Sequence, residues 1–209
     1  MFAPGAGRFV GPPATAAVLL AVLWAVRAIP AASLVLLALL ALATALALFF
    51  AVFFRDPDRP PGPGIVSAAD GRVRAVERDG ETLRISVFMN VTNVHVNRMP
   101  LDATVARVEQ AGHGYRPAYA ADAEGNVARR YALATPLGPV EVVQITGIVA
   151  RRLVSFVAPG ARLRKGDRFG MIVLGSRVDV LLPAARAEPA VAVGDRVRAG
   201  TSTIARERT

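Results

Sequence analysis

Residues 31–54 are the feature that most restricts how this chain folds, because they form an uncharged run of 24 residues, AASLVLLALLALATALALFFAVFF. As a helix this run is about 36 Å long, which exceeds the roughly 30 Å hydrocarbon core of a bilayer. A signal peptide has a shorter apolar region with a small-residue cleavage site directly behind it. The run therefore predicts a transmembrane helix.

A second uncharged stretch lies upstream, at residues 9–26. Arg27 and Pro30 separate the two stretches, as a tight turn would. We therefore expect a membrane anchor over residues 1–54, built as a transmembrane hairpin with helices at about 14–26 and 31–54. A single span, or insertion into one face of the membrane, is the alternative.

The positive charges around this anchor predict its orientation. Arg8 precedes the first apolar stretch, Arg55 and Arg59 follow the second, and only Arg27 lies between them. The positive-inside rule places the more basic flanks in the cytoplasm. We therefore expect the anchor in the inner cell membrane, with the rest of the chain on the cytoplasmic side.

The rest of the chain is strongly basic. All 16 acidic residues, and all but two of the 25 basic residues, lie from Arg55 onward. The arginines are scattered through strand-like segments, with no basic helix and no aromatic RNA-binding motif, so nucleic acid is not the expected partner. A basic domain beside a bilayer instead matches anionic lipid head groups. The chain has no cysteine, which excludes disulfides and a thiol nucleophile.

The residues after the anchor divide into a linker and a β domain. Residues 55–64, RDPDRPPGPG, contain four prolines and two glycines and predict a stiff linker. Residues 65–209 are long enough for one core. Their apolar residues mostly alternate in short β-branched segments between turn signals, which predicts a mainly β fold. These segments are RVRAVE (72–77), TLRISVFM (82–89), TVARVEQA (104–111), VEVVQI (140–145) and GIVARRLVSF (147–156).

A short internal repeat makes the fold prediction more specific. GARLRKG (160–166) and GDRVRAG (194–200) share the pattern Gly-x-Arg-apolar-Arg-x-Gly. Such turns are common in lipoyl- and biotinyl-type folds, so we expect a compact barrel-sandwich-like β domain of two hairpin layers packed face to face. Lys165 is the only lysine, and it lacks the preceding Met that is typical of a swinging-arm carrier. The sequence therefore argues against a carrier function.

Four blocks of sequence point to a particular chemistry. They are SAADGRV (67–73), FMNVTNVHVNRMP (88–100), VQITGIVARRLV (143–154) and RFGMIVLGSRVDVLLP (168–183). In this order they resemble the phosphatidylserine decarboxylase family, in its short-chain, pyruvoyl-dependent form, over roughly residues 50–183. The resemblance implies a proenzyme that cuts itself between Gly175 and Ser176. The products would be a β chain of residues 1–175 and an α chain of residues 176–209, which stay associated.

The resemblance also assigns the chemistry of the Gly-Ser pair. Ser176 Oγ attacks the Gly175 carbonyl to give an ester, and β-elimination and hydrolysis then leave a pyruvoyl group in place of Ser176. Glycine tolerates the strained backbone that this acyl shift needs. The implied cofactor is this pyruvoyl group, with no metal. Its carbonyl accepts electrons as phosphatidylserine loses CO₂ and becomes phosphatidylethanolamine.

Three further residues receive roles from the same resemblance. His95 is the implied base for the Ser176 hydroxyl, and Asp70 is the carboxylate that orients it, as in other base-activated nucleophiles. Longer members of the family carry a second histidine where this chain has Arg98. Arg98 stays protonated and cannot act as a base, but it suits the phosphate or carboxylate of the substrate. His113 lies between glycines outside the blocks and is expected in a loop.

The residues by themselves leave two other functions open. One is a non-catalytic, membrane-tethered barrel-sandwich scaffold or adaptor, in which Gly175 and Ser176 form only a turn. The other is a pyruvoyl decarboxylase for a different amine-bearing acid. The function predicted here is decarboxylation of phosphatidylserine, with that lipid and the membrane bilayer as partners.

Overall fold

The structure is a computed structural model that describes residues 1–25, 33–117, 125–147, 152–173 and 176–208. The chain divides into two compact units, Met1–Pro57 and Asp58–Thr209. The first unit is helical and apolar, and the second is built from strands. The predicted fold class, a mainly β domain preceded by two apolar helices, is therefore confirmed.

The N-terminal unit contains two helices, α1 (Gly7–Ala25) and α2 (Ser33–Phe53). Both are long and apolar enough to cross a membrane. The Phe9 ring near the start of α1 lies 6.3 Å from the Phe50 ring and 4.8 Å from the Phe54 ring, between centroids. The start of α1 therefore packs against the end of α2, so the two helices run antiparallel, as in a hairpin.

The helix bounds differ from the expected ones mainly at the start of α1. This helix begins at Gly7 rather than near residue 14, so Pro12 and Pro13 lie inside it. A proline supplies no N–H to the carbonyl four residues earlier. Pro12 and Pro13 are the sixth and seventh residues of α1, and prolines inside membrane helices are tolerated where neighbouring groups satisfy the freed carbonyls. The expected ends at residues 26 and 31 lie outside the described residues.

The β unit is built around one antiparallel sheet of eight strands in the order β13-β2-β3-β11-β7-β6-β5-β9. Strand β11 lies inside this sheet, between β3 and β7. The eight strands have these bounds: β2 (Gly71–Asp79), β3 (Thr82–Met89), β5 (Ala103–Ala111), β6 (Ala128–Thr135), β7 (Gly138–Thr146), β9 (Arg162–Leu163), β11 (Ser176–Pro183) and β13 (Arg196–Val197).

Two small sheets complete the β unit, and the three sheets are open rather than closed into a barrel. One has the order β4-β10-β8, with bounds β4 (Val96–Arg98), β8 (Arg152–Ser155) and β10 (Arg168–Val173). The other has the order β1-β14-β12, with bounds β1 (Ile65–Val66), β12 (Ala187–Pro189) and β14 (Thr203–Glu207). All three contribute to one core, which includes Ile85, Val180, Ile172 and Ile204.

The two copies of the internal repeat lie at opposite edges of the large sheet. The first contains β9 and the second contains β13. Their last glycines, Gly166 and Gly200, have φ values of 87° and 75°, a region that favours glycine. A Cβ at Gly200 would lie 2.9 Å from Arg98 Cδ and 3.5 Å from Gly166 Cα. The ends of the two copies therefore meet beside Arg98.

The proline-rich segment is bound to the β unit from Asp58 onward. Gly62 donates its N–H to the Gly200 carbonyl over 3.0 Å. Asp58 forms an ion pair with Arg168 at 2.7 Å, and this bond lowers the pKa of the Asp58 carboxyl. The boundary between the units therefore falls inside the predicted linker, after Pro57.

Candidate active site

The chain changes sheets at the predicted cleavage position. Strand β10 ends at Val173 in a small sheet, and β11 begins at Ser176 inside the large sheet. Only two residues join these strands, and both of them, including Gly175, lie outside the described residues. The bond predicted to break is therefore at the connection between two separate sheets.

The backbone of Ser176 is held from both sides. Ser176 pairs in register with Met89 of β3 and with Thr146 of β7. Thr146 is fully buried, and its Oγ1 donates to the Val127 carbonyl over 2.9 Å. Asn126 Nδ2 donates to the Thr146 carbonyl over 2.8 Å. The first residue of β11 is therefore paired on both sides, and its partner Thr146 is itself held by two hydrogen bonds.

His95 lies just before β4 and is 1% exposed. Its carbonyl accepts a hydrogen bond from the N–H of Ile172, which is near the end of β10. Its Nδ1 lies 2.9 Å from the Asn93 carbonyl oxygen. Because a carbonyl only accepts, Nδ1 carries a proton in this contact, which leaves Nε2 as the ring nitrogen that could accept one. This tautomer has the nitrogen that a general base needs.

Asp70 is buried and bound by two other parts of the chain. Its carboxylate accepts hydrogen bonds from Arg59 Nη1 at 2.5 Å and Nη2 at 2.9 Å, and from the Ala199 N–H at 2.8 Å. Asp70 was expected to orient the His95 ring, whereas the group bound at His95 Nδ1 is the Asn93 carbonyl. The role of Asp70 in a relay stays a prediction. Sequence reasoning missed Arg59 as its partner.

Arg98 and His113 occupy very different surroundings. Arg98 is 4% exposed at the end of β4, and its Nη1 donates to the Gly166 carbonyl over 3.1 Å. Its contact with the substrate stays a prediction. His113 is exposed between β5 and β6, where its backbone N–H donates to the Gly125 carbonyl over 3.2 Å. The loop predicted for His113 is confirmed.

A buried polar network near the start of β11 was also missed. Tyr131 donates its hydroxyl to Gln144 Oε1 over 3.1 Å, and Gln144 Nε2 donates to Asn97 Oδ1 over 2.8 Å. Burial raises the pKa of Tyr131, so its hydroxyl stays protonated and can donate. Gln144 pairs in register with Val178, two residues after Ser176. The available signal was a glutamine at an inward position of the alternating strand VEVVQI.

Comparisons with known proteins match most of the chain. A model of the phosphatidylserine decarboxylase family matches residues 46–205. A phosphatidylserine decarboxylase proenzyme from Thermobifida fusca is 48% identical over 78% of this chain and 76% of its own length. The corresponding proenzyme from Streptomyces avermitilis is 44% identical over 79% and 77%. A relative from Halobacterium salinarum, named as an archaetidylserine decarboxylase proenzyme, is 45% identical over 78% and 83%.

These relatives define a class of lipid decarboxylases that are made as proenzymes. The matched region includes the whole of β1–β13 and the crossing between β10 and β11. The chain belongs to the phosphatidylserine decarboxylase family. The resemblance seen in the four sequence blocks is therefore confirmed, and the match extends beyond residues 50–183.

Proposed function

We propose that this chain is a proenzyme that cuts itself between Gly175 and Ser176 and then converts phosphatidylserine to phosphatidylethanolamine. The observation that carries the proposal is the crossing at this position, where β10 ends in one sheet and β11 begins inside another. The family, and the proenzyme names of the relatives, support the same activity. The chain is accordingly a carboxy-lyase.

Self-cleavage begins with the Ser176 hydroxyl. Its Oγ attacks the Gly175 carbonyl carbon, so that an ester C–O bond forms and the peptide C–N bond breaks. His95 Nε2 takes the hydroxyl proton and returns it to the Ser176 nitrogen. Removal of the Ser176 α-proton then forms the Cα=Cβ double bond and breaks the Cβ–Oγ bond of Ser176, so that Oγ leaves as part of the Gly175 carboxylate and dehydroalanine remains. Water converts dehydroalanine to a pyruvoyl group and ammonia. The contact of His95 Nδ1 with Asn93 supports Nε2 as the base.

The proposed cofactor is the pyruvoyl group formed from Ser176. Such a group supplies an electrophilic carbonyl that withdraws the electron pair left behind when a carboxylate departs as CO₂. The buried side chains around the start of β11 fit this chemistry. His95 holds a nitrogen that can carry a proton, and Asn97 and Gln144 keep hydrogen-bonding groups inside the core. Asn97 is two residues along the chain from His95.

The serine head group is the part of the substrate that we propose the site recognises. Relatives of similar identity are named for phosphatidylserine and for archaetidylserine, and these lipids share that head group but differ in their apolar chains. Arg98 is our candidate ligand for the head group's carboxylate or phosphate, because it is a buried cation in the same sequence block as His95. Charge-assisted bonds to arginine are the strong hydrogen bonds that such recognition uses.

The two chains made by cleavage are proposed to stay associated. The α chain would begin with β11, which pairs with β3 from Ser176 to Pro183 and with β7 from Ser176 to Leu181. Two of its other strands pair with the β chain as well, β13 with β2 and β14 with β1. These backbone hydrogen bonds and the shared core do not depend on the broken peptide bond.

The apolar helices are proposed to anchor the enzyme in the inner cell membrane, with the β unit in the cytoplasm. Both helices are long enough to span a bilayer, and Arg8 and Arg55 lie at the end where the start of α1 meets the end of α2. The positive-inside rule assigns this end to the cytoplasm. Protease added to inverted vesicles, but not to intact cells, should then digest the β unit.

The test of the proposed function is the mass of the mature subunits. We expect the wild type to yield residues 1–175 and a 34-residue fragment, 176–209, whose N-terminus reacts with carbonyl reagents and lacks a free amine. Ser176→Ala should remain one intact, inactive chain, because a methyl group cannot attack a carbonyl. Ser202→Ala, a matched change within the same fragment, should be cut normally. An uncut wild type that still decarboxylates, or a fragment that begins with a serine amine, would refute the proposal.

A further inference from the structure

Asn97 is a fully buried polar residue of β4, and its side chain is bound by two strands of the large sheet. Its Oδ1 accepts a hydrogen bond from Gln144 Nε2 of β7 over 2.8 Å. Its Nδ2 donates to Met89 Sδ of β3 over 3.8 Å. Strands β3 and β7 are the two that flank β11. The side chain of Asn97 therefore joins a small sheet to both neighbours of the strand that begins at Ser176.

The hydrogen bond between Gln144 and Asn97 lies two residues back from the proposed cleavage site on both strands. On β7, Gln144 is two residues before the register partner of Ser176. On β4, Asn97 is two residues after His95, whose carbonyl bond to the Ile172 N–H continues the pairing of β4 with β10. Ile172 is next to the end of β10, where the chain crosses to the large sheet. His95 and Ser176 therefore both lie on the side of this hydrogen bond that faces the crossing.

The two sheets approach each other closely at this hydrogen bond. Gly170 of β10 pairs with Asn97, and a Cβ at Gly170 would lie 2.9 Å from Gln144 Nε2 and 3.2 Å from Tyr131 Oη. The Tyr131 hydroxyl donates to Gln144 Oε1 over 3.1 Å, so the Gln144 amide is bonded through both its oxygen and its nitrogen. A fully bonded amide in a close-packed core has little freedom to shift. Gln144 therefore holds Asn97 in one position.

We propose that Gln144 is a positioning residue, which holds His95 against the start of β11 through its hydrogen bond to Asn97. Ser176 begins a strand of the large sheet, whereas His95 continues a strand of a small sheet. The geometry between the two residues therefore depends on contacts between the sheets. A misplacement of about 1 Å at a reacting group can cost about 10²-fold in rate. The inference rests on the proposed function for its chemistry, since it takes His95 as the base for Ser176.

Gln144→Met in the full chain tests the proposal, because methionine has a similar size but cannot donate a hydrogen bond to Asn97. Val140→Ala is the matched control. Val140 is buried four residues earlier on the same face of β7, so its truncation lowers the stability but leaves the hydrogen bond in place. We expect self-cleavage to slow about 10²-fold in Gln144→Met and to keep the wild-type rate in Val140→Ala, as measured by gel electrophoresis over time. Equal slowing in both variants would overturn the proposal.

An NMR measurement on the His95 ring separates this inference from the proposed function. The chain has two histidines, so His113→Ala leaves the His95 ring as its single imidazole. With isotope-labelled histidine in the uncut Ser176→Ala precursor, Gln144→Met should shift and broaden the ring signals, and Val140→Ala should leave them unchanged. Unchanged ring signals in Gln144→Met would overturn the inference. Shifted signals together with normal cleavage would support the positioning and count against His95 as the base.

Gln144→Glu keeps the inference testable if Gln144→Met fails to fold. An ionised carboxylate accepts the bond from Tyr131 but has no proton to donate to Asn97, whereas a protonated carboxyl does both. Because burial raises the pKa of a carboxyl, we expect the cleavage rate of this variant, divided by that of the wild type, to rise as the pH falls from about 9 to about 6. A ratio that does not change with pH would contradict the role of the donated hydrogen bond and overturn the inference.

Discussion

At the residue scale, two of the proposed site residues, His95 and Asp70, have different kinds of hydrogen-bond partner. His95 has the tautomer of a base, because the Asn93 carbonyl accepts its Nδ1 proton. Asp70 instead accepts hydrogen bonds from Arg59 and Ala199, which supply all three of the bonds described above for its carboxylate. Arg59 also donates to the Ala199 carbonyl over 3.1 Å. The three residues thus join the proline-rich segment, the start of β2 and the turn after β13.

The role of His95 as a base gives the first prediction at this scale. His95→Ala should slow self-cleavage by about 10²–10⁴-fold, the usual contribution of a general base. His113→Ala removes the other histidine, which is exposed, and should cleave at the wild-type rate. The fraction of intact precursor over time, measured by gel electrophoresis, checks both variants. Normal cleavage in His95→Ala would remove this residue from the processing step.

The ion pair between Asp70 and Arg59 leads to the second prediction at the residue scale. If Asp70 acts by holding Arg59, then Asp70→Asn and Arg59→Ala should slow cleavage to a similar extent. Arg59→Lys should restore part of the rate, because it keeps the charge but not the two-pronged geometry. Time courses of self-cleavage, measured for the three variants, compare these rates. A far larger loss in Asp70→Asn than in Arg59→Ala would instead favour direct action of Asp70 on His95.

At the element scale, β11 begins at the proposed cleavage site and also contains a buried ion pair. Arg177 and Asp179 lie two residues apart on one face of the strand, with Nη2 to Oδ2 and Nε to Oδ1 distances of 3.0 Å. Burial raises the pKa of the Asp179 carboxyl above 3.8 despite the attraction of Arg177. Ionised Asp179 therefore lowers the stability of the fold, and this loss develops as the pH rises through the raised pKa.

The buried pair of Arg177 and Asp179 predicts that replacing one partner lowers the unfolding free energy more than replacing both. Arg177→Met alone leaves a buried carboxylate and should cost about 3 kcal/mol or more of unfolding free energy. Adding Asp179→Leu should restore the stability or exceed that of the parent by about 1–4 kcal/mol. Denaturant unfolding of both in the Ser176→Ala precursor, a single chain, measures this. The double variant should also lose the decline in stability above pH 3.8. A double variant less stable than the single one would contradict the argument.

At the scale of the whole molecule, the predicted cut leaves two chains that share one core. The core includes Val180 and Ile204 from the α chain and Ile85 and Ile172 from the β chain. Strand β11 lies between two β-chain strands, so its backbone groups are paired on both sides. Separation of the chains would expose this core to water.

The shared core predicts that the cut enzyme behaves as one particle. The two chains should elute together from a sizing column in mild detergent, and they should separate only under denaturing conditions. The Ser176→Ala precursor should elute at nearly the same volume, because cleavage does not alter the packing of the strands. Release of the 34-residue fragment without denaturant would show that strand pairing does not hold the chains together.

The sequence by itself determined the features that depend on neighbouring residues. The apolar run up to Phe54, the alternating strands and the Gly175-Ser176 pair are local patterns, because hydropathy, side-chain period and peptide chemistry act over a few residues. They were sufficient for the mainly β fold, the two apolar helices and the family. The tertiary structure decided the contacts between distant residues, such as those of Arg59 with Asp70 and Ala199.

The hydrogen bonds among Tyr131, Gln144 and Asn97 are also contacts between distant residues, because Gln144 and Asn97 are 47 residues apart in the chain. Such contacts depend on which strands pair and in which register. The register of the strands follows from the packing of the whole core, so no short segment of sequence determines it.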